Sequence, residues 1–561
     1  MLTVIILIVG SPIVSFSQSP FCSWVNGYST GGSEGFSLSS DMNGNIYSTG
    51  VFNDSIEVSS LTGDYTLYSV GWNSCVIQKM DKDGGVIWVK ALTGLGYAFG
   101  YGIISDNLEN VYIVGYFSGA IDFDPNSGDN TLNAVGAQDI FILKLDSNGD
   151  FVWVRALEGT GSTESQANSI ALDSSNNIII VGEYDGTMDF DGDIGVESKT
   201  SFGSTDIFVL KLDLDGNFVW VQAFEGDNLD NCYASCTDDL DNIFITGRFH
   251  GTVDFDPGVG IDSRTALSGF GDIFTVKLDQ SGNLLWANTF GGLDNEFGED
   301  VIVDVDGNVY TFGRFRATVD FDPSGTVNEI TSAGNQDAFI QKVDPNGNLI
   351  WAKSFGGLYS AFSQSVALDS EANIYLCGFF SDTIDLDPGV GTAQFTALSS
   401  FSNGFVSKLD SSGNYIWGCS LQSISSVTPR EIHIDMDDNV FVTGRFSETV
   451  DFDPTVNSLE MSSTYGSIFV VKYEEGFSGV ESNDSDLKFR VYPNPTNSNL
   501  LFDYPVEKIR LINVYDMQGN TVASEVPESN SISFEFLGSG LYVIELITID
   551  NEILTSKVTK N

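Results

Sequence analysis

One tryptophan recurs through most of the chain at a nearly constant interval. Successive members of this series lie 64 to 67 residues apart, and they are Trp24, Trp88, Trp153, Trp220, Trp286, Trp351 and Trp417. A glycine that ends an apolar run, from Gly50 to Gly444, and a lysine inside another run, from Lys79 to Lys472, keep the same interval. A period of this kind indicates one supersecondary unit that is repeated seven times.

Each repeat contains four short runs with strand character. In the third repeat they cover residues 169–173, 178–182, 207–213 and 218–222, and we name them strands A, B, C and D. Apolar and β-branched residues fill these runs, and short turns join A to B and C to D. Four strands per repeat without helices predict the blade of a β-propeller.

The short turns carry constant residues. The A–B turn opens with aspartate and closes with asparagine, as at Asp41 and Asn45, and we expect this aspartate to accept hydrogen bonds from its own turn. The C–D turn places a glycine where a type I turn with a bulge needs a positive φ. The strand C lysine has an acidic residue two positions later, as Lys79 has Asp81, and we expect an ion pair between the two.

The two ends of the repeat region complement each other. The first tryptophan strand, residues 22–25, precedes any strand A, whereas the last repeat stops after its strand C, residues 468–472. We therefore predict an all-β fold: a seven-bladed β-propeller closed by the N-terminal strand, plus a small C-terminal Ig-like β-sandwich. Burial of one tryptophan is worth about 5 kcal/mol, so loss of Trp24 should open the ring.

The repeats resemble the secreted bacterial β-propeller repeat family. The resemblance rests on residues 351–357 (WAKSFGG) and 301–313 (VIVDVDGNVYTFG), and it spans about residues 21 to 475. It implies an extracellular propeller. It implies no activity, because one propeller fold serves many functions.

The C-terminal segment resembles the type A sorting domain of the type IX secretion system. The resemblance rests on Tyr-Pro-Asn-Pro at 492–495 and on Gly-Ser-Gly-Leu-Tyr-Val-Ile at 538–544. It implies the type IX secretion machinery as a partner, passage across an outer membrane, removal of this domain, and release or attachment at the cell surface. A generic adhesive sandwich is the alternative.

These features divide the chain into four segments. An apolar run followed by small residues predicts a signal peptide over 1–17, although no basic residue precedes it. The propeller then covers 18–475, an acidic linker 476–487 and the sorting domain 488–561. No apolar run is long enough to predict a transmembrane span, and we expect a secreted or cell-surface protein that is a monomer.

Composition excludes several functions. A formal net charge of −53, from 77 acidic and 24 basic residues, would repel nucleic acid and anionic lipid. Only two histidines, His250 and His433, are present for a histidine-rich metal site or a catalytic triad. Six cysteines without a CxxC motif predict buried thiols, with room for one disulfide.

The long B–C and D–A connections predict a binding surface on the face opposite the short turns. The residue after the strand B glycine varies there, and four such residues are candidates for an anionic sugar or a peptide carboxylate: Glu183, Arg248, Arg314 and Arg445. Ion pairs with neighbouring aspartates are the alternative. His433 is a further candidate, because strand A should line the central channel.

Six B–C connections contain two aspartates separated by one apolar residue. Their carboxylates should point the same way and offer oxygen ligands for calcium, but we favour the alternative that the second aspartate caps the following turn. The pairs are Asp122 and Asp124, Asp189 and Asp191, Asp254 and Asp256, Asp320 and Asp322, Asp385 and Asp387, and Asp451 and Asp453.

These observations favour a non-catalytic extracellular binding module for a glycan or a protein. One alternative is a carboxylate-dependent glycoside hydrolase or polysaccharide lyase, because paired acids can perform acid–base chemistry without histidine. Another is a surface protein that is stabilised by calcium. No catalytic residue is assigned, and calcium is the one candidate cofactor.

Overall fold

The computed structural model describes most of the repeat region and part of the C-terminal segment. The described residues are 18–28, 31–161, 165–192, 195–455, 458–477, 491–492, 499–502, 504–515, 521–527, 529, 531–534, 537, 540–549 and 553–560. The predicted signal peptide and residues 478–487 of the predicted linker lie outside them. The chain divides into two compact units, one comprising Pro20–Glu475 and the other containing Gly476–Asn561.

The described part of the first unit consists of antiparallel strands and turns, without an α-helix. Its first nineteen strands are Gln18–Gly27 (β1), Ser33–Ser40 (β2), Ile46–Phe52 (β3), Ser55–Ser60 (β4), Gly63–Tyr68 (β5), Ser74–Met80 (β6), Val86–Gly94 (β7), Tyr97–Ser105 (β8), Val111–Ser118 (β9), Ala120–Asp122 (β10), Thr131–Asn133 (β11), Asp139–Leu145 (β12), Phe151–Leu157 (β13), Gln166–Leu172 (β14), Ile178–Asp189 (β15), Ser198–Leu212 (β16), Phe218–Phe224 (β17), Asn231–Thr237 (β18) and Ile243–Phe249 (β19).

The same alternation continues to the end of the unit. The remaining strands are Thr252–Asp254 (β20), Ser263–Thr265 (β21), Asp272–Leu278 (β22), Leu284–Phe290 (β23), Phe297–Val303 (β24), Val309–Phe315 (β25), Thr318–Asp320 (β26), Glu329–Thr331 (β27), Asp337–Val343 (β28), Leu349–Phe355 (β29), Ala361–Leu368 (β30), Ile374–Phe380 (β31), Thr383–Asp385 (β32), Gln394–Thr396 (β33), Asn403–Leu409 (β34), Tyr415–Leu421 (β35), Val427–Ile434 (β36), Val440–Asp451 (β37) and Glu460–Phe477 (β38).

Strands A to D of each repeat form one antiparallel sheet, and we number these sheets 1 to 7 along the chain. In order A-B-C-D they are β2-β3-β6-β7, β8-β9-β12-β13, β14-β15-β16-β17, β18-β19-β22-β23, β24-β25-β28-β29, β30-β31-β34-β35 and β36-β37-β38-β1. In sheet 7 the strand D position is occupied by β1, from the beginning of the chain.

Two-stranded ribbons lie in the B–C connections. They are β4-β5, β10-β11, β20-β21, β26-β27 and β32-β33, and in sheets 3 and 7 the B and C strands themselves extend to form the ribbon. The β10-β11 ribbon also pairs with β7, so sheet 1 continues into it as six strands. From the sequence, these connections were expected to be loops. The ribbons follow from antiparallel pairing around the central turn of each connection.

Consecutive sheets pack face to face. Strand C is buried along its whole length in sheets 1, 2, 4, 5 and 6, which explains its continuous apolar run. Each main core cluster combines neighbouring sheets, and one cluster joins Leu38 and Val76 of sheet 1 to Phe441 and Val470 of sheet 7. The first and last sheets therefore share a hydrophobic core.

Six of the seven recurring tryptophans, all but Trp417, pack on the C–D turn glycine of the next sheet. Trp24 of β1 donates its indole N–H to Lys82 O in the C–D turn of sheet 1, at 3.2 Å. A Cβ added at Gly84 of that turn would lie 2.6 Å from the Trp24 ring. Trp88 and Gly149 repeat this arrangement between sheets 1 and 2. Of the seven recurring tryptophans, Trp88 and Trp417 are buried, whereas Trp24 is half-buried, so the full burial assumed for Trp24 was wrong.

The ion-pair partner of the strand C lysine is not the residue that was predicted. Lys211 Nζ lies 2.8 Å from Asp173, the aspartate of the A–B turn, and Lys342 lies 3.3 Å from the equivalent Asp304. The predicted partner two residues later instead accepts N–H groups of its own C–D turn, as Asp213 does. Of the predicted pairs, the structure contains Lys472–Glu474, at 3.0 Å. The A–B turn aspartates also accept backbone N–H groups of their own turns, as expected.

All six cysteines are free thiols. Five are buried, and Cys236 is half-buried.

The described part of the C-terminal unit forms two antiparallel sheets. Their orders are β39-β40-β43 and β42-β41-β44-β45. Leu500, Ile512, Phe534 and Val558 lie in their common core. The elements are Val491–Tyr492 (β39), Asn499–Phe502 (β40), a 3-10 turn at Val506–Lys508, Ile509–Tyr515 (β41), Thr521–Glu525 (β42), Ser531–Ser533 (β43), Gly540–Thr548 (β44) and Ile553–Lys560 (β45).

The contact between Trp24 and Gly84 predicts a difference between two glycine substitutions in sheet 1. Gly84 and Gly44 both have positive φ, 85° and 76°, but the nearest atom to a Cβ at Gly44 is 3.5 Å away. We expect Gly84→Ala to lower the free energy of unfolding by about 3 kcal/mol and Gly44→Ala by about 1 kcal/mol. Chemical denaturation followed by tryptophan fluorescence measures both, and equal losses would contradict the packing of β1 on sheet 1.

Candidate functional site

Strand A of every sheet contains a bulge near its start. The register shifts by one residue between Gly35 and Ser37 of β2, and at the equivalent place in the other six strands. A bulge leaves its extra residue unpaired and turns that side chain out of the ladder. The seven extra residues are Phe36, Tyr101, Asn168, Tyr233, Glu299, Gln364 and Arg430.

These seven residues line one cavity of about 410 Å³, which we call the central cavity. Strand A of all seven sheets contributes to its wall. The bulge lies at the start of strand A, beside the long connections. The position predicted to vary, after the strand B glycine, pairs with the residue two before the bulge, as Arg314 pairs with Phe297. Both sets of residues therefore lie at the same end of strand A, and we call the opening of the central cavity at this end the mouth.

Aromatic rings form one side of this mouth. Phe36 lies 4.9 Å from Tyr101, and Phe99 stacks on Tyr116 at 5.1 Å between ring centroids. Tyr101 and Tyr116 are 5.6 Å apart. We call these four residues of sheets 1 and 2 the aromatic arc. All four rings are half-buried, so each keeps part of its surface open to solvent.

Paired charges form the other side. Arg430 donates to Glu34 at 2.6 Å and to Gln364 at 2.9 Å, and Glu34 belongs to sheet 1 whereas Arg430 belongs to sheet 7. Arg314 lies 3.1 Å from Glu299 and stacks over the Phe297 ring at 3.9 Å. We call Glu34, Glu299, Arg314 and Arg430 the charged arc. Its arginines are oriented by carboxylates rather than free for an anion.

A second cavity, the side cavity, holds two of the predicted residues together. It measures about 670 Å³, lies among sheets 2, 3 and 4, and contains Glu183 and Arg248 in its wall. Glu183 is 2% exposed and accepts N–H groups from Gln166 at 2.5 Å and Asn168 at 2.8 Å. Burial raises the pKa of Glu183 to about 7, against these amide hydrogen bonds. Arg248 donates to Asn231 at 3.2 Å.

The two remaining candidates lie elsewhere. Arg445 is exposed and donates to Tyr465 O at 3.2 Å, and it is not among the residues that line either cavity. His433 lines the central cavity deeper than the bulge, and its Nε2 lies 2.9 Å from Ser40 Oγ. Burial lowers the pKa of His433 to about 4, so the imidazole is neutral near pH 7.

Two half-buried carboxyls that were not among the predicted site residues, Asp300 and Glu431, lie just below the mouth. Asp300 accepts the N–H of Val366 in the next sheet at 2.8 Å, and burial raises its pKa to about 6. Burial raises the pKa of Glu431 to about 8. A comparison of the seven strand A segments by register would have revealed both residues, because the equivalent positions hold small residues: Ser37, Gly102, Ser169, Ala234 and Ser365.

The aspartate pairs of the B–C connections cap their own backbone. Asp122 Oδ1 accepts N–H groups from Asp124 and Asn130, and the other five first aspartates repeat this pattern. The second aspartate accepts the N–H two residues further on at Asp124, Asp256, Asp322, Asp387 and Asp453. The residue between them is fully buried in every pair. Across the described residues, no group of three or more His, Cys, Asp or Glu side chains is placed to hold a metal ion.

Comparison with known proteins identifies the C-terminal segment. Residues 490–561 match the family of secretion system C-terminal sorting domains. The described residues contain no helix of the length and apolarity needed to cross a membrane. The sorting domain shows that the protein is secreted through the type IX system to the cell surface or the extracellular space.

Two curated proteins are distantly similar to parts of this chain. An uncharacterized WD repeat-containing protein, L264 of Acanthamoeba polyphaga mimivirus, is 25% identical over 70% of this chain and 34% of its own length. The regulatory protein FlaEY of Caulobacter vibrioides is 26% identical over 27% of this chain and 17% of its own length. The chain thus spans about a third or less of these relatives.

Two solved structures align over most of the chain, but with low TM-scores. PorZ, a surface component of the type IX secretion system of Porphyromonas gingivalis, is 10% identical, with a TM-score of 0.23 over 94% of this chain and 81% of its own. The extracellular domain of BT4673 from B. thetaiotaomicron is also 10% identical, with a TM-score of 0.18 over 94% of this chain and 86% of its own.

The raised pKa of Glu183 predicts a pH-dependent effect of Glu183→Gln. The folded protein holds this proton up to about pH 7, whereas the unfolded chain releases it near pH 4.5, so ionisation destabilises the fold as pH rises between these values. Relative to wild type, the variant should gain about 3 kcal/mol of unfolding free energy between pH 4.5 and pH 8. Denaturation of both proteins at the two pH values tests this, and a constant difference would contradict a buried, protonated Glu183.

Proposed function

We propose that the seven repeat sheets form a closed seven-bladed β-propeller, and that this propeller is a non-catalytic module that binds an extracellular glycan or protein at the mouth of its central cavity. The protein would display or release this module after type IX secretion. The C-terminal unit would be an Ig-like β-sandwich that is removed during export, and the mature protein would be a monomer.

Contacts between the first and last sheets support the closed ring. Strand β1 lies beside β38, and the Ile468 N–H donates to Ser33 Oγ at 3.0 Å. The ion pair between Arg430 and Glu34 joins the same two sheets at the mouth. Because each sheet then has a neighbour on both faces, no apolar sheet face is left uncovered.

The observation that carries the binding function is the difference among the seven bulge residues. The scaffold contacts recur from sheet to sheet, as with Trp24 on Gly84 and Trp88 on Gly149. The bulge positions instead carry aromatic, amide, acidic and basic side chains around one cavity. A symmetric scaffold does not require this asymmetry, whereas recognition of an asymmetric ligand does.

The chemistry of the mouth suits a glycan or a polar protein segment. The aromatic arc offers ring faces for an apolar ligand surface. The side-chain amides of Asn168 and Gln364 are held by bonds within the protein, to Glu183 and to Arg430, and so give the wall a fixed polar surface. The charged arc has its arginines already paired, so a neutral ligand fits it better than a strong anion.

A carboxylate-dependent hydrolase or lyase is the second candidate, favoured by Asp300 and Glu431. Burial raises the pKa of Glu431 to about 8 and that of Asp300 to about 6, so near pH 7 Glu431 holds a proton and Asp300 is mostly ionised, as a general acid and a general base would be. Against catalysis, Asp300 already accepts main-chain N–H groups from Val301 and Val366, which is a structural use of its oxygens.

Loss of one arc residue should weaken binding selectively. A ligand is first identified by glycan-array and surface-protein screening with the full mature chain. We then expect Tyr101→Ala to raise the dissociation constant of that ligand at least about tenfold. Leu108→Ala, an exposed A–B turn residue on the opposite face, is the control and should leave the constant unchanged. Calorimetric titration measures both variants.

Two results would contradict this proposal. One is equal affinity of the Tyr101→Ala and Leu108→Ala variants for that ligand. The other is cleavage of a bound glycan that Asp300→Asn abolishes, which would instead establish the hydrolase or lyase.

A further inference from the structure

Two pairs of buried carboxylates bridge neighbouring sheets. Asp206 and Asp272 lie at the start of strand C in sheets 3 and 4, and Asp230 and Glu296 lie immediately before strand A in sheets 4 and 5. The Asp230 N–H donates to Thr205 O at 3.0 Å, and the Glu296 N–H donates to Gly271 O at 3.1 Å. These backbone hydrogen bonds hold Asp230 beside Asp206 and Glu296 beside Asp272.

Three oxygens of these pairs have no hydrogen-bond partner. They are Asp230 Oδ2, Asp272 Oδ1 and Glu296 Oε1. The exposed fractions of the three residues are 0%, 3% and 0%. Among the described residues, none of the four carboxylates forms an ion pair with a lysine, arginine or histidine. A buried carboxylate oxygen without a hydrogen-bond donor is costly in free energy unless a cation or a bound proton neutralises the carboxylate.

Glycines make room for both carboxylates of each pair. The Gly226 N–H donates to Asp206 Oδ1 at 3.1 Å, and a Cβ added at Gly226 would lie 1.9 Å from Asp230 Oδ2. At the second pair, a Cβ at Gly291 would lie 2.6 Å from Asp272 Oδ1, and the Gly292 N–H donates to Glu296 at 3.2 Å. Asp206 and Asp230 therefore both approach Gly226, and Asp272 and Glu296 approach the adjacent Gly291 and Gly292.

The repeated fold does not require an acid at the position of Asp230 or Glu296. At the position of Asp230 and Glu296, the other five sheets carry Ser33, Ala98, Ser165, Ala361 and Val427. Sheets 4 and 5 thus place an acid where the repeat otherwise has a small or apolar residue. Burial and then repulsion from Asp206 and Asp227 raise the pKa of Asp230 to about 8, so the pair is unfavourable when both members are ionised.

We propose that each carboxylate pair, Asp206 with Asp230 and Asp272 with Glu296, is a cation site that takes Ca²⁺ and joins two neighbouring sheets. A divalent ion neutralises both carboxylates and supplies the partner that the three oxygens lack. Calcium is coordinated by main-chain carbonyl oxygens and water as well as by carboxylates, so two acidic side chains suffice for each site. The sites are separate from the aspartate pairs of the B–C connections and from the mouth, and they do not depend on the proposed ligand.

The test uses the full mature chain after chelation. We expect it to bind two Ca²⁺ ions in calorimetric titration and to gain about 2 °C or more in melting temperature at millimolar Ca²⁺. Asp230→Asn and Glu296→Gln should each remove one ion, and the double variant should lose both ions and the thermal shift. Asp337→Asn is the matched control, because Asp337 occupies the same strand C position opposite Ala361 and should leave two ions bound.

Two results would overturn the proposal. If the double variant binds as many ions as wild type, calcium lies elsewhere, for example at the B–C aspartates. If wild type binds no Ca²⁺ while its melting temperature falls between pH 6 and pH 9 and that of the double variant does not, each pair holds a shared proton instead. Because the readouts are ion stoichiometry and stability, a failure of glycan or protein binding at the mouth does not affect them.

Discussion

The pairing of the first strand with the last sheet is the contact on which the rest of the first unit depends. Sheet 7 contains three strands from its own repeat and takes β1 as its fourth. That strand also delivers Trp24 to the C–D turn of sheet 1, so it contacts two sheets. A strand pair between residues so distant in sequence closes a very long loop, and the shared core of sheets 1 and 7 compensates for the entropy of that closure.

The repeated contacts and the unique ones have different roles in this molecule. Tryptophan on a glycine turn and lysine on an A–B turn aspartate recur because each sheet must join the next in the same way. The mouth residues and the two carboxylate pairs depart from the repeat at positions where the scaffold tolerates many side chains. Functional residues in such a protein are therefore found by comparing the repeats with one another.

Much of the architecture follows from the sequence, because alternating apolar residues and fixed turn residues are local signals. The four strands of each repeat and the capping role of Asp41 belong to this class. The partner of Lys211 was predicted wrongly, because Asp213 is already bound by its own turn. The strand A bulge has no residue signature, so the seven mouth residues could not be selected as a set. Contacts such as Arg430 with Glu34 depend on tertiary packing across the seam.

Amide hydrogen exchange in β38 tests the seam most directly. Strand C of sheet 3, residues 207–211, is paired on both sides, by β15 and β17. If β1 completes sheet 7, every amide of residues 468–472 should exchange as slowly as those of residues 207–211. Rapid exchange at alternate residues of 468–472 would show an edge strand without a partner, and it would contradict the ring of seven sheets.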